Sequence, residues 1–410
     1  MCAEPIESVE FAAWIERLGP FEAAPHLAVA VSGGADSLAL ALLARDWVRP
    51  RRGRCTALIV DHRLRRESAA EAALTATRLQ QIGILPRVLA LQGLGPGPAL
   101  AERARTARYA ALQVACAEAG IVHLLLGHHA ADQAETVAMR LLRGSGPDGL
   151  AAMAALVETA SVRLLRPLLT APPVRLRATL QAAGVEWIED PSNRAETALR
   201  GRLRALRRDP DGTGPATRGA VAEAAARGRQ RAAHEAETAA WLGRHARLHP
   251  EGYAVLDALP EAGAPLAALL RIVAGASRPP PADAVLRWLH RPRAATLGGV
   301  ALRPAGRLAP GGWLLLREAA GMQPPVAASR GAVWDGRFRW FGKTTELATL
   351  GALGADAPSG RGQALLRRTL PSLRAPEQAI AVPHLDGNSA YVVWSPQSPA
   401  AGAGFLPADA

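Results

Sequence analysis

The sequence predicts an α/β protein: a Rossmann-like parallel sheet with helices on both faces, followed by a helical domain and a small C-terminal β-containing unit. Three observations carry that expectation. Short apolar runs alternate with segments of helical period throughout the first half. A glycine pair stands between the first run and the first helical segment. After about Asn193 the alternation stops and arginine and alanine dominate; from about Thr296 the apolar spacing shortens.

Taken in order, Leu27–Val31 reads as a buried strand and Ser37–Val48 as a helix. Thr56–Val60, Leu85–Leu91 and Ile121–Leu126 repeat the strand pattern, and Glu67–Ile82, Ala99–Ala119 and Ala131–Arg143 the helical one. Val162–Leu165, Val174–Ala183 and Val185–Ile188 add a strand, a helix and a strand. In such sheets ligands bind beyond the carboxyl ends of the strands, near the point where the strand order reverses. Residues 196–249 read as helix with loops, interrupted by a turn at Asp209–Pro215. Helices over Ala264–Ala274 and Ala282–Leu289 flank Pro279-Pro280-Pro281, and Gly299–Arg303, Trp313–Arg317 and Arg337–Phe341 read as short strands. The expected division is therefore an α/β domain over residues 1–198, a helical domain over 199–292, a β-containing unit over 293–395 and a loose tail over 396–410.

Composition narrows the class. A chain of 410 residues, 49% hydrophobic and 20% charged, can bury a core without staples and is not a disordered chain. It contains no run of 18 uncharged apolar residues, so no membrane span is expected. Met1-Cys2-Ala3-Glu4-Pro5 is not a basic segment leading into an apolar run, and Cys2, Cys55 and Cys116 stand far apart. Both features point to a reducing cytoplasm, with Cys55 and Cys116 as small buried hydrophobes. The net charge of +12 is carried by arginine, Lys343 being the only lysine, and suggests a polyanionic partner.

Ser32-Gly33-Gly34-Ala35-Asp36-Ser37 lies between the first strand and the first helix. Its glycines let the backbone approach an anion, helix-start amides and serine hydroxyls can donate to it, and Asp36 suits a magnesium ion held against phosphate oxygens. Asp61-His62-Arg63-Leu64-Arg65 ends the second strand, where Asp61 either faces a cleft or caps a basic loop. His128-His129-Ala130-Ala131-Asp132-Gln133-Ala134-Glu135-Thr136 runs into a helix. Asp132 and Glu135, one turn apart, either hold an amine or a metal or form an acidic first turn favoured by the helix dipole. Arg143-Gly144-Ser145-Gly146-Pro147-Asp148-Gly149 spells a dinucleotide fingerprint but follows a helix, not a strand. Phe341-Gly342-Lys343-Thr344 is not a Walker A loop, because Arg337 stands where its first glycine belongs.

The first hexapeptide resembles the pyrophosphate loop of the ATP pyrophosphatase (PP-loop) superfamily, whose members split ATP between its α and β phosphates. Together with Asp61-His62-Arg63-Leu64-Arg65, Arg105-Thr106-Ala107-Arg108-Tyr109, the His128–Thr136 segment, Arg143-Gly144-Ser145-Gly146, Arg166-Pro167-Leu168-Leu169 and Asp190-Pro191-Ser192-Asn193, it resembles tRNA(Ile)-lysidine synthetase. The resemblance is dense from about Val29 to Arg204 and looser at Thr296-Leu297-Gly298-Gly299 and Trp334–Phe338. Ala131 replaces the first acid of the family's Asp-Asp-Gln, and Gly201 replaces an asparagine in the Arg200–Arg204 element.

The resemblance implies a PP-loop catalytic domain and a helical tRNA-binding domain. It implies ATP-dependent adenylation of the wobble cytidine of a minor isoleucine tRNA, release of pyrophosphate, and displacement of AMP by the ε-amine of L-lysine. ATP and Mg2+ are the implied cofactors, at Ser32, Gly33, Gly34, Ala35, Asp36, Ser37, Asp61 and His62, with Asp36 holding the metal. Asp132 and Glu135 are implied to bind lysine. Arg105, Arg108, Arg143, Asn193, Arg200 and Arg204 are implied at the substrate. The general base stays open among Asp36, Asp132 and His128, and a homodimer stays open as the assembly. Rival readings are another PP-loop tRNA-modifying or adenylating enzyme, a serine hydrolase using Ser32, and a non-catalytic RNA-binding protein.

Overall fold

Alternation along β1 (His26–Val31) sets the layers of the first sheet. Leu27, Val29 and Val31 point to one face and Ala28 to the other, as the two-residue period of a strand requires. In the computed structural model, which describes residues 3–65, 67–159, 161–189, 203, 206, 208–343, 347–356, 364–376, 380–387, 391–396 and 399–401, β2 (Arg54–Asp61), β3 (Leu85–Ala90), β4 (His123–Leu126), β5 (Leu156–Glu158) and β6 (Arg163–Leu165) join β1 in the order β3-β2-β1-β4-β6-β5. All pairings are parallel except that of β5 with β6. One face is covered by α1 (Ser8–Glu16), α2 (Ala35–Val48), α3 (Ser68–Gln81) and α6 (Pro173–Ala182), which contribute Phe11, Ile15, Leu38, Leu79 and Leu176. The other is covered by α4 (Leu100–Glu118), through Leu112, Ala115 and Cys116.

From β1 the chain runs out to β2 and β3, then returns to place β4 on the opposite side of β1. This reversal opens a crevice between the loops that follow β1 and β4. The expected α/β architecture is therefore present, with two differences. Val185–Ile188 is not a strand of this sheet; its extended backbone donates from Ile188 N to Gly33 O at 2.9 Å, while Val185 packs into the core. Its alternation reflects that half-burial. The sixth strand is instead the short β5. Helix α1 was not expected, although Phe11 and Ile15, four apart and both fully buried, carry its period.

Two compact units divide the chain at 232/233. Asp209 leads into the helix Pro215–His245 by accepting from Thr213 N, Gly214 N and Thr217 Oγ1. Beyond this helix, β7 (Ala246–His249), β8 (Tyr253–Leu256), β9 (Ala295–Leu297), β10 (Val300–Pro304) and β11 (Trp313–Arg317) form one antiparallel sheet in the order β7-β8-β11-β10-β9. Helices Gly263–Ala274 and Ala282–His290 pack Leu266, Leu270, Val273 and Trp288 against it. A boundary at 292/293 would cut this sheet, because β8 pairs with β11 across that point. Two three-stranded sheets complete the described part of the second unit. Among the described residues no helix is long and apolar enough to cross a membrane.

The second unit buries an ion cluster. Asp335, fully enclosed with a positive φ of 53°, accepts from Arg317 Nε at 3.0 Å and Arg337 Nε at 2.8 Å, while Gln323 N donates to its other oxygen at 3.0 Å. Arg317 also donates to Gly299 O at 2.9 Å, so the two glycine-containing motifs of this half meet on one guanidinium. Burial pulls Arg337 down to about 10, and the Asp335 charge opposes that pull. Replacing Asp335 by alanine strands two buried cations and should cost about 3–5 kcal/mol. Urea unfolding followed by the fluorescence of this tryptophan-rich unit would measure it, and Asp335→Asn, which tolerates the positive φ, should cost less.

Candidate active site

The loop after β1 is shaped by two glycines and two serines. Gly33 has φ +85°, and a Cβ there would stand 2.5 Å from Thr75 Oγ1 of α3, so no side chain fits. Ser37 Oγ, buried at the start of α2, donates to Gly34 O at 3.0 Å, accepts from Ser32 N at 3.1 Å and lies 3.2 Å from Ser32 Oγ. Gly34 is the N-cap of α2 and has no side chain with which to cap it. The first-turn amides, which have no partner inside the helix, are therefore available to an anion. On the other side Gly127, after β4, lies so close that a Cβ would come within 3.2 Å of Asp36 O and Ser37 N.

Helix α5 (Ala130–Leu142) starts beside this loop. Its N-cap, His129, is buried, and its backbone N donates to Asp132 Oδ2 at 3.2 Å. The imidazole Nε2 of His129 lies 3.4 Å from Asp36 Oδ2 and 3.5 Å from Asp132 Oδ2. Two carboxylates from the starts of two different helices thus converge on one histidine. Side-chain exposure separates the acids: 38% for Asp36 and 19% for Asp132, whereas Glu135 as a whole is 1% exposed. Asp132 is thus the more accessible of these two acids of α5, with Glu135 beneath the surface. Gln133 turns away and clamps Met153 through its backbone N and O, at 3.0 and 2.9 Å.

His128, the histidine expected at the site, is not the residue that bridges the carboxylates. Burial, reinforced by the positive charges of Arg166, Arg105 and Arg108, pulls it down to about 4 against the opposing pull of Asp132. The guanidinium groups of Arg105 and Arg108 lie 5.1 and 5.5 Å from the Tyr109 ring. Burial, with Arg108 nearby, likewise holds His62 below the ordinary histidine range against the pull of Asp61. Asp61 is occupied by its own loop: it accepts from Arg63 N at 2.9 Å and Ser68 Oγ at 2.7 Å, and these bonds lower its pKa despite burial. Of its two expected roles the geometry favours the loop cap.

Arg143 is exposed at the far end of α5, about 16 Å from Asp132 by helical rise. The loop after it is braced by Arg140, which donates to Gly149 O and Ala152 O. Asn193, Arg200 and Arg204 lie outside the described residues. The sequence reading missed His129 and Gly127. The available signals were the N-cap position of His129 before an aspartate at N3 and the glycine closing an apolar strand beside a glycine-rich turn.

This architecture agrees with a family match. The ATP_bind_3 model, a PP-loop domain, matches residues 8–207. The fold and the site thus define a PP-loop protein. Among curated relatives, the tRNA(Ile)-lysidine synthase of Methylobacterium nodulans is 39% identical over 305 residues, covering 74% of this chain and 84% of the relative. That of Brucella suis biovar 1 is 35% identical over 391 residues, covering 87% and 86%. The chain belongs to the tRNA(Ile)-lysidine synthase family. A further relative of that name, from a Bradyrhizobium strain, is 47% identical over 198 residues, covering 48% of this chain and 55% of the relative. The chain spans about half the length of that relative and of others like it.

Two outcomes follow from the geometry. Gly33→Ala should cost about 1–3 kcal/mol through strain at a positive φ and the clash with Thr75. In a thermal melt, adding Thr75→Ala should recover the clash but not the φ strain. His128 is neutral in the fold and protonates more readily when unfolded, so its contribution to stability is full above pH 6.5 and declines from there to about pH 4. His128→Gln should therefore lose less melting temperature than the parent between pH 7 and pH 5.

Proposed function

We propose that this chain is an ATP-dependent ligase that joins the ε-amine of L-lysine to C2 of the wobble cytidine in a minor isoleucine tRNA. The observation that carries the reading is the convergence of Asp36, from the loop after β1, and Asp132, from the helix after β4, on one imidazole at the strand-order reversal.

The cytosine O2 attacks the α-phosphate of ATP and pyrophosphate leaves. Ser32, Ser37 and the amides from Gly33 to Asp36 would receive the departing pyrophosphate. Asp36 would hold Mg2+, which neutralises charge on the phosphates when bound. A partly exposed carboxylate fits that ion, which is commonly held by one or two carboxylates plus substrate phosphates. Lysine then displaces AMP at C2. Its amine has a reference pKa near 10.4 and must lose a proton before attack. Asp132 would take the ammonium first, with Glu135 behind it. Arg105 and Arg108 supply positive charge toward the nucleotide. The implied tRNA contacts at Asn193, Arg200 and Arg204 are carried by the family pattern, and arginine can hold a phosphate backbone without reading sequence.

Incubation with ATP, radiolabelled lysine and total bacterial tRNA should incorporate label into tRNA and release AMP and pyrophosphate, each release requiring the tRNA. Formation of ADP and phosphate, or label appearing in protein instead of tRNA, would overturn the proposal.

A further inference from the structure

The two carboxylates that the reaction would use are not independent. Asp36 starts α2 and Asp132 starts α5, on opposite sides of the strand-order reversal. Both place an oxygen within 3.5 Å of His129 Nε2, and the histidine is buried, with only 9% of its side chain exposed. A nitrogen lone pair between two carboxylate oxygens would repel both, so the Nε2–H form is the tautomer that fits. That single N–H can serve either carboxylate, and both separations are a few tenths of an ångström beyond a good hydrogen bond. Such contacts commonly tighten only when a ligand is bound.

We propose that His129 is a positioning residue that orients Asp36 and Asp132 together, so that the carboxylate serving the nucleotide and the carboxylate serving the amine are held as one unit. This rests on the function proposed above. The backbone of His129 reinforces the arrangement, because its N–H donates to the same Asp132 oxygen that faces the imidazole. Gly127, two residues earlier, sets the distance by packing on the backbone of Asp36 and Ser37. Imidazole, backbone amide and glycine thus lie within three consecutive residues that close the gap between the two helices.

A simpler role for His129 is that of an N-cap alone, and side-chain length tells the two apart. Asparagine is a strong N-cap but is too short to put an N–H where Nε2 lies. Glutamine is a weaker cap that can reach that position. Wild type, His129→Asn, His129→Gln and His129→Ala are compared by thermal melt with and without MgATP, and by the lysine KM for tRNA labelling. The proposal expects His129→Asn to melt at or near the parent temperature. Its lysine KM should nevertheless rise about 10- to 100-fold, the loss of a hydrogen bond to a charged group. Its MgATP-induced gain in melting temperature should shrink, and His129→Gln should recover part of both effects. A His129→Asn protein that matches wild type in lysine KM and in the MgATP shift would overturn the proposal and leave a cap. Wild type that binds MgATP but labels no tRNA would overturn the functional reading instead. The MgATP shift would still decide whether His129 holds Asp36.

Discussion

The close approach of the Gly33 backbone to Thr75 governs how the first unit can present its loop. With no side chain and a positive φ, Gly33 lets the chain leave β1 and turn at once into α2 while α3 stays packed alongside. Its carbonyl then accepts from Ile188, which ties the segment after α6 back across the loop. Gly127 does the corresponding work from the β4 side, against Asp36 and Ser37. The first turn of α2 is thus boxed by one position where a side chain would clash and a second where it would crowd the backbone. The loop shape is a consequence of packing on both flanks, not of the loop's own hydrogen bonds alone.

Charge is sorted around that box by what already occupies it. Asp61 is spent on its own turn, and Glu135 is enclosed. Asp36 and Asp132 remain partly open and share a histidine. The arginines act differently. Arg166 is buried and anchored to Ala154 O at 2.8 Å, whereas Arg105 is exposed on α4. Burial, with the charges of Arg166, Arg105 and Arg108 added, outweighs the pull of Asp132 and keeps His128 neutral across the physiological range. Two adjacent histidines therefore have different work: one stands among cations, the other between anions.

Much of this was legible in the sequence, for identifiable reasons. The strands of the parallel sheet are nearly continuous apolar runs, and the helices between them keep a clear period, so β1 to β4 and α2 to α5 emerge within a few residues. The segment Val185–Ile188 misled because half-burial against a loop produces the same alternation as half-burial in a sheet. The site was legible as a set of motifs but not as distances. Which histidine of His128-His129 meets the carboxylates depends on which one caps α5, and spacing alone does not distinguish neighbours. Asp61 looked like a ligand because its hydrogen bonds to Arg63 and Ser68 are a property of the folded turn. In the second half, β8 is short and its partner β11 begins only after helices and strands that fill the chain from Asp257 to Gly312, so the five-stranded sheet is invisible to a local reading.

The positive charges that act on His128 among the described residues are guanidinium groups: Arg105, Arg108 and Arg166. A lysine would supply the same charge, but its ammonium can shed a proton when buried and become an amine. Arginine stays protonated and carries no lone pair fit to attack an electrophile. In the reaction proposed above, which activates a base so that a free amine can add to it, this choice would have a chemical consequence. Under the proposed function, the walls would attract the phosphates of the intermediate without offering a competing amine to the activated base.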